Sequence, residues 1–268
     1  MKRSVTSNMQ LQVAGDARLV ISVAAARCPG LTVDDRLTIV AGGVELSPEV
    51  VTAERHAVFH VVDVTAGDVE IDYAATVSGY EETLDEPVRE QLSNLVPSRY
   101  AESDRLAGIA AERFDGLTGA ELVLAVRDFV HERTAYVPGA SKPTDGALDT
   151  LLEGQGVCRD FTHLVIALLR ARDVPARLVS AYAPGLDPMD FHAVVEAYVD
   201  GAWQALDATG LAPRQSLLRI ATGRDAADTS FLSSYGAAVT LTGISVSAVL
   251  SDAALPGDNH TGLVLLGR

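Results

Sequence analysis

Between residues 9 and 78 apolar and polar residues alternate in short runs. MQLQVAG, RLVISVAAA, RLTIVAGG, AVFHVVDV and DVEIDYAATV are rich in Val, Ile and other β-formers. Cys28-Pro29-Gly30, Gly42-Gly43 and Ala66-Gly67-Asp68 punctuate them with turn chemistry. Period-two runs separated by such turns predict an antiparallel sandwich or small barrel of about five or more strands.

The pattern changes near Gly79. Residues 84–100 are acidic and broken by prolines, which predicts a connector. Helical spacing follows. Ser103 is placed to cap a helix with Leu106, Ala110 and Phe114 on one face. Thr118-Gly119-Ala120-Glu121 reads as a capping box ahead of Leu122, Ala125, Val126, Phe129 and Val130. A Pro, Gly, Ser and Thr-rich loop covers 138–146, and 147–152 predicts a short helix. In EGQGVCRDFTHLVIALL, Phe161, Leu164, Val165, Leu168 and Leu169 recur at the spacing of one buried helical face. Gly154 and Gly156 end any helix upstream, so Cys158 is expected at a helix N-terminus.

After Val174-Pro175 the period returns to two. ARLVSAYA, HAVVEAYV and AWQALD predict three strands, the last two joined by Asp200-Gly201, a strong hairpin signal. If those two residues form the loop, Val199 faces Ala202 and Val194 comes opposite Asp207. His192 lies two residues from Val194 on the same face. His192 and Asp207 are then diagonal neighbours with Cβ atoms about 7–8 Å apart or less. A one-residue slip would separate them. Further on, 217–224 reads as a short helix or extended segment. VTLTGISVSAVL and TGLVLLG read as late strands that complete the sheet.

Composition narrows the classes. The 268 residues are 48% hydrophobic, enough for a sizeable core. The net charge of −15 and the lack of a basic patch exclude nucleic acid as a partner. An acidic cluster at Glu81, Glu82, Asp85, Glu86 and Glu90 reads as a solvated face. No stretch approaches the roughly 18 apolar residues of a membrane span. MKRSVTSNMQ lacks the apolar region of a signal peptide. With only two cysteines, Cys28 and Cys158, no disulfide framework is expected, and a cytoplasmic location follows as the expectation.

Cys158 carries the candidate chemistry. At a helix start, free N–H groups and the macrodipole favour negative charge on the sulfur. A thiol nucleophile also needs a base, and the base needs a third group to orient it. His192 and Asp207 supply both. The N–H of Cys158 is a candidate oxyanion donor, and the Gln155 side chain a candidate second one. Tyr182, at its strand end, is a candidate cleft residue. Trp203 reads as packing of the hairpin, His163 as a polar flank of the cysteine helix, and Cys28 as structural. His56 and His60 lack further ligands, so no metal site is expected.

GVCRDFTHL, PARLVSAY and DFHAVVEAYVDGAWQALDAT, in that order, resemble the transglutaminase-like superfamily of papain-type thiol enzymes, in particular its bacterial branch of cysteine proteases. PSRYAESDRL resembles that branch's linker. The resemblance implies an α+β fold, with an N-terminal antiparallel β-sandwich-like domain (1–80), a linker and first helix (81–116), and a transglutaminase-like core (117–268). In that core a cysteine helix packs on an antiparallel sheet. It implies Cys158 as nucleophile, His192 as general base and Asp207 as orienting acid, with no cofactor. Arg159 stands where animal-type transglutaminases follow the nucleophile with tryptophan, and Val194 where relatives often carry an aromatic residue. Both weigh toward hydrolysis of a protein or peptide amide. Amine transfer forming isopeptide bonds, and a non-catalytic scaffold, are the alternatives.

Overall fold

The computed structural model describes residues 1–82 and 88–268. Seven strands come first: β1 (Lys2–Val13), β2 (Ala17–Ile21), β3 (Leu31–Ala41), β4 (Val44–Leu46), β5 (Glu49–Thr52), β6 (Val58–Val64) and β7 (Gly67–Gly79). Helices α1 (Val88–Ser93), α2 (Ser103–Arg113) and α3 (Gly119–Arg133) follow, then β8 (Ala135–Tyr136), α4 (Ala147–Glu153), β9 (Gln155–Gly156) and α5 (Cys158–Arg170). The chain ends in strands: β10 (Ala176–Tyr182), β11 (Phe191–Val199), β12 (Ala202–Leu206), β13 (Leu218–Gly223), β14 (Leu232–Gly236) and β15 (Val239–Leu250). No helix among the described residues is long and apolar enough to cross a membrane.

Two antiparallel sheets, ordered β15-β1-β7-β3-β4 and β14-β2-β6-β5, share one core. Alternation builds it: Val5, Met9, Leu11 and Val13 of β1 and Val69, Ile71, Tyr73 and Val77 of β7 all point inward. The last two strands correct the sequence expectation. VTLTGISVSAVL pairs with β1, from Arg3↔Leu250 to Val13↔Val239, and β14 pairs with β2. Neither completes the sheet that carries His192. VTLTGISVSAVL alternates along its sequence, and that signal does not name the partner. TGLVLLG makes only an isolated bridge, Val264 to Ala205, at the edge of β12. Residues 218–223 resolve as strand, not helix.

The third sheet, β12-β11-β10-β13, is antiparallel and meets α5. The Asp200-Gly201 hairpin forms in the expected register, Val199↔Ala202. Both loop residues have positive φ, 54° and 79°, the geometry of a type I′ turn. Helix α5 differs from a one-faced amphipathic helix. Every residue from Asp160 to Arg170 is buried. The sheet covers one side through Leu178, Val195 and Ala197, and α2 and α3 cover the other through Leu106, Val123 and Val126. Two of its buried polar residues are bonded internally: Thr162 Oγ1 donates to Ala193 O (3.0 Å) and Arg170 Nε to Ala176 O (2.9 Å). Unpaired, each would cost about 1–3 kcal/mol.

Three local expectations change. Ser103 is the first residue of α2 rather than its cap, and Thr118 caps α3 without a side-chain bond, so the capping box does not form. Of the acidic cluster, Glu81 pairs with Arg219 and the buried Glu90 pairs with Arg55, which removes them from a solvated face. Asp85 and Glu86 lie outside the described residues.

Candidate active site

The start of α5 is built by tight backbone contacts. Gly154, at φ 66°, ends α4 in a left-handed turn. Val157, in extended conformation, precedes the first helical residue, Cys158. Asp160 Oδ2 accepts the Val157 N–H at 2.8 Å, and its Oδ1 accepts the Ser141 hydroxyl at 2.9 Å. Arg159 reaches the same loop, donating to Ser141 Oγ (2.5 Å) and Lys142 O (2.8 Å). The residue beside the sulfur thus anchors the loop around 138–146. Cys158 remains partly exposed, whereas Cys28 is buried, and burial foremost pushes the Cys28 thiol up to about 12.

His192 enters from β11, paired with Ala181 of β10. Its Nε2 lies 2.8 Å from Asp207 Oδ2, and both side chains are 1% exposed. Nδ1 is then the ring nitrogen left for the sulfur, and a Cys158–His192 hydrogen bond contributes to the charge state of the imidazole. Burial disfavours the imidazolium. The charge of Asp207, its hydrogen bond and the Cys158 sulfur outweigh that and raise the His192 pKa to about 10. Asp207 sits one residue past the end of β12. Its Oδ1 accepts the Thr209 N–H (2.8 Å) and hydroxyl (2.6 Å). Burial again opposes the charge, but His192 and Thr209 hold the carboxyl below its usual range.

The structure therefore brings Cys158, His192 and Asp207 together. Gln155 stands exposed on β9, bridged through its backbone to Ala135. Tyr182 corrects the expectation of a cleft residue. It is fully buried, its hydroxyl donates to Val23 O (2.8 Å), and its ring stacks on Tyr73 with centroids 6.2 Å apart. It pairs with Phe191, one position out of phase with Ala181 and His192, so the pleat turns it into the N-terminal core. Trp203 packs under the Arg177 guanidinium, 3.8 Å from its ring, in a cavity of about 780 Å³ that no triad residue lines. His163 stacks on Tyr100 (5.2 Å), and its Nε2 accepts the Ala226 N–H (3.2 Å). Among the described residues no group of three or more His, Cys, Asp or Glu side chains could hold a metal ion.

Sequence reasoning missed Tyr136, whose ring leans on Phe161 beside the nucleophile. Its two-residue strand is too short to show a period. Asp207 can be read in sequence as a turn cap before Thr209-Gly210, and it makes that contact as well as the one to His192.

A helix-start thiol facing a buried imidazole–carboxylate pair on an antiparallel sheet defines a thiol-centred α+β core. Residues 109–208 match the family model of the transglutaminase-like superfamily. The crystal structure of a "putative cysteine protease" from Cytophaga hutchinsonii is 32% identical, with a TM-score of 0.88 over 98% of this chain and 96% of that one. An uncharacterized protein of Mycobacterium leprae is 27% identical over 143 residues, 50% of this chain, and the match spans about half (51%) of that relative's length. The periplasmic domain of TgpA from Pseudomonas aeruginosa shares 20% identity at a TM-score of 0.42, covering 75% of this chain and 91% of that one. The chain belongs to the transglutaminase-like superfamily.

Proposed function

We propose that the protein is a thiol-dependent acyl-transfer enzyme that hydrolyses amide bonds in a protein or peptide. The observation that carries this is the buried His192–Asp207 pair at 2.8 Å, with its second ring nitrogen turned to Cys158. Cys158 attacks the amide carbonyl, and the carbonyl π pair moves to oxygen. The protonated His192 gives its proton to the departing amine, leaving a thioester on Cys158. His192, now neutral, takes a proton from water, whose oxygen attacks the thioester and releases the acid. Asp207 fixes the imidazole and stabilises its charged form. Arg159 beside the nucleophile, committed to the 138–146 loop, supports water over an amine as acceptor, since that position offers no aromatic wall.

The test is site-resolved alkylation of Cys158 and Cys28 across pH, in the parent and in His192→Ala, with peptide hydrolysis measured beside it. The expected result is faster alkylation of Cys158 than of Cys28, a difference that shrinks without His192, and hydrolysis lost in a folded Cys158→Ala. Hydrolysis retained in Cys158→Ala, or incorporation of a labelled primary amine in place of hydrolysis, would overturn it.

A further inference from the structure

One long side of the N-terminal sandwich is open. β15 pairs with β1 along one edge, and among the described residues its other edge pairs with no strand. β14, joined to β15 through residues 237–238, pairs with β2 and is likewise the outermost strand of its sheet. We propose that a second copy of the chain docks on this side, β15 against β15, so that the two five-stranded sheets become continuous.

Register shows what the open side leaves bare. The buried positions Val5, Ser7, Met9, Leu11 and Val13 of β1 lie across the ladder from Ala248, Val246, Ile244, Leu241 and Val239. Directly paired residues share a face, so these five residues of β15 point toward the core. Val246 and Ala248 are buried there, but Leu241 and Ile244 remain 38% and 41% exposed. Their partners Leu11 and Met9 are covered. The neighbouring edge strand adds little to cover them. By the same rule, β14 turns Leu232, Ser234 and Gly236 inward, opposite the buried Ile21, Leu19 and Ala17. Two of those three positions carry no apolar side chain. Leu241 and Ile244 thus aim at a core that ends before it encloses them.

The charge pattern favours a second copy as the occupant. The protein carries −15, yet no charged residue occurs from Thr229 to Ser251. Open edge strands are normally guarded by lysine, proline or a bulge. β15 has neither lysine nor proline, and its extra residue at Thr242 leaves 243–250 regular. The outermost strands on the far side do carry charge, Glu45 in β4 and Glu49 in β5. A charged partner strand finds no counter-charge on β15. A second copy brings a strand as neutral as the first, and two acidic molecules meet where neither is charged. A two-fold axis perpendicular to the sheet makes the pairing antiparallel and self-complementary. It also keeps the in-facing residues of both copies on one side, so each copy covers the other's Leu241 and Ile244. At about 3.4 Å per residue β15 spans about 41 Å and β14 about 17 Å, and each layer is about 10 Å deep. The side therefore offers about 600 Å² per copy and about 1,200 Å² in all, the lower bound for a stable specific interface.

Sedimentation velocity on the full chain, from about 1 to about 100 μM, covers the weak end of affinity for such interfaces. It is run on the parent, on Ile244→Asp, and on Val50→Asp, which places the same charge on the exposed far edge. The parent is expected to dimerise within that range. Ile244→Asp should weaken the dimer by about 30-fold or more, the effect of one charge buried unpaired in an interface. Val50→Asp should leave dimerisation unchanged, and Cys158 alkylation should match the parent in both variants. Amide hydrogen exchange on the parent is an independent measure that needs no variant: exchange within 243–250 should slow as concentration rises. A parent that stays monomeric throughout overturns the proposal. So does a dimer that survives Ile244→Asp, or one that forms without slowing exchange in 243–250, since the copies then meet elsewhere. If Ile244→Asp fails to fold, the exchange measurement on the parent decides alone.

Discussion

Asp160 fills the space that a side chain at Gly156 would need: a Cβ added there would lie 2.6 Å from Asp160 Cβ and 2.7 Å from its Oδ2. Asp160 is held by the Val157 N–H and Ser141, so it has little freedom to move away. Gly156→Ala should therefore displace the start of α5. The expected cost is about 1–3 kcal/mol of stability in urea unfolding, the range for overpacking. Cys158 alkylation should slow even at temperatures where the variant is fully folded.

The pH response should follow His192. Its pKa rises from about 6.5 unfolded to about 10 folded. The stabilisation is thus fully present below about 6.5 and is lost as pH rises through about 10. The alkaline limb of kcat/KM should lie near pH 10. Asp207→Asn removes the charge that holds the imidazolium, so that limb should move to lower pH. Hydrolysis should drop by about 10³–10⁴, as for the loss of an orienting carboxylate elsewhere. A pH–rate profile of both proteins checks this.

His163 should act on stability in the opposite pH direction. Burial lowers its pKa to about 3, so the folded protein holds it neutral. Its contribution is present above about 6.5 and is lost progressively as pH falls toward 3. His163→Phe keeps a ring against Tyr100 and removes the titration. Urea midpoints between pH 7 and 4 should fall less steeply in the variant. The hydrogen bond from Ala226 is also lost, at about 1 kcal/mol, and hydrolysis at neutral pH should be retained.

Arg214 and Asp258 form a buried pair in which the carboxylate accepts from Nε at 2.8 Å and from Nη2 at 2.9 Å. Arg214 Nη1 also donates to Ala205 O and Gly262 O, tying the segment after β15 to the sheet edge next to Asp207. Arg214→Met strands the Asp258 carboxylate, and a loss of about 3–5 kcal/mol is expected. Arg214→Met with Asp258→Leu should recover part of it. Denaturant titration of the single and double variants gives the comparison.

The legible features share one property: their determinants lie close together in sequence. Gly154, Gly156 and the apolar spacing locate the start of α5, and Asp200-Gly201 sets the register that carries His192 toward Asp207. The illegible features depend on distant partners. Nothing in VTLTGISVSAVL says that it pairs with residues 3–13. The phase of Tyr182 along β10 is readable, but the layer it meets, the N-terminal sheets, is not. Burial of α5 on all sides likewise depends on α2 and α3, so His163 looks like a polar flank in sequence and lies in the interior in the fold.

The pairing of β1 with β15 has a consequence for biosynthesis. On the ribosome, β1 can join β7 early, but its other edge stays open until 239–250 have been made. By then every residue of the Cys158, His192 and Asp207 constellation has already been translated. Throughout that interval β1 presents unpaired N–H and C=O groups, a template for pairing with another nascent chain. A message truncated between codons 210 and 239 would encode all three of those residues, yet its product would carry that open edge and be a substrate for chaperones or aggregation.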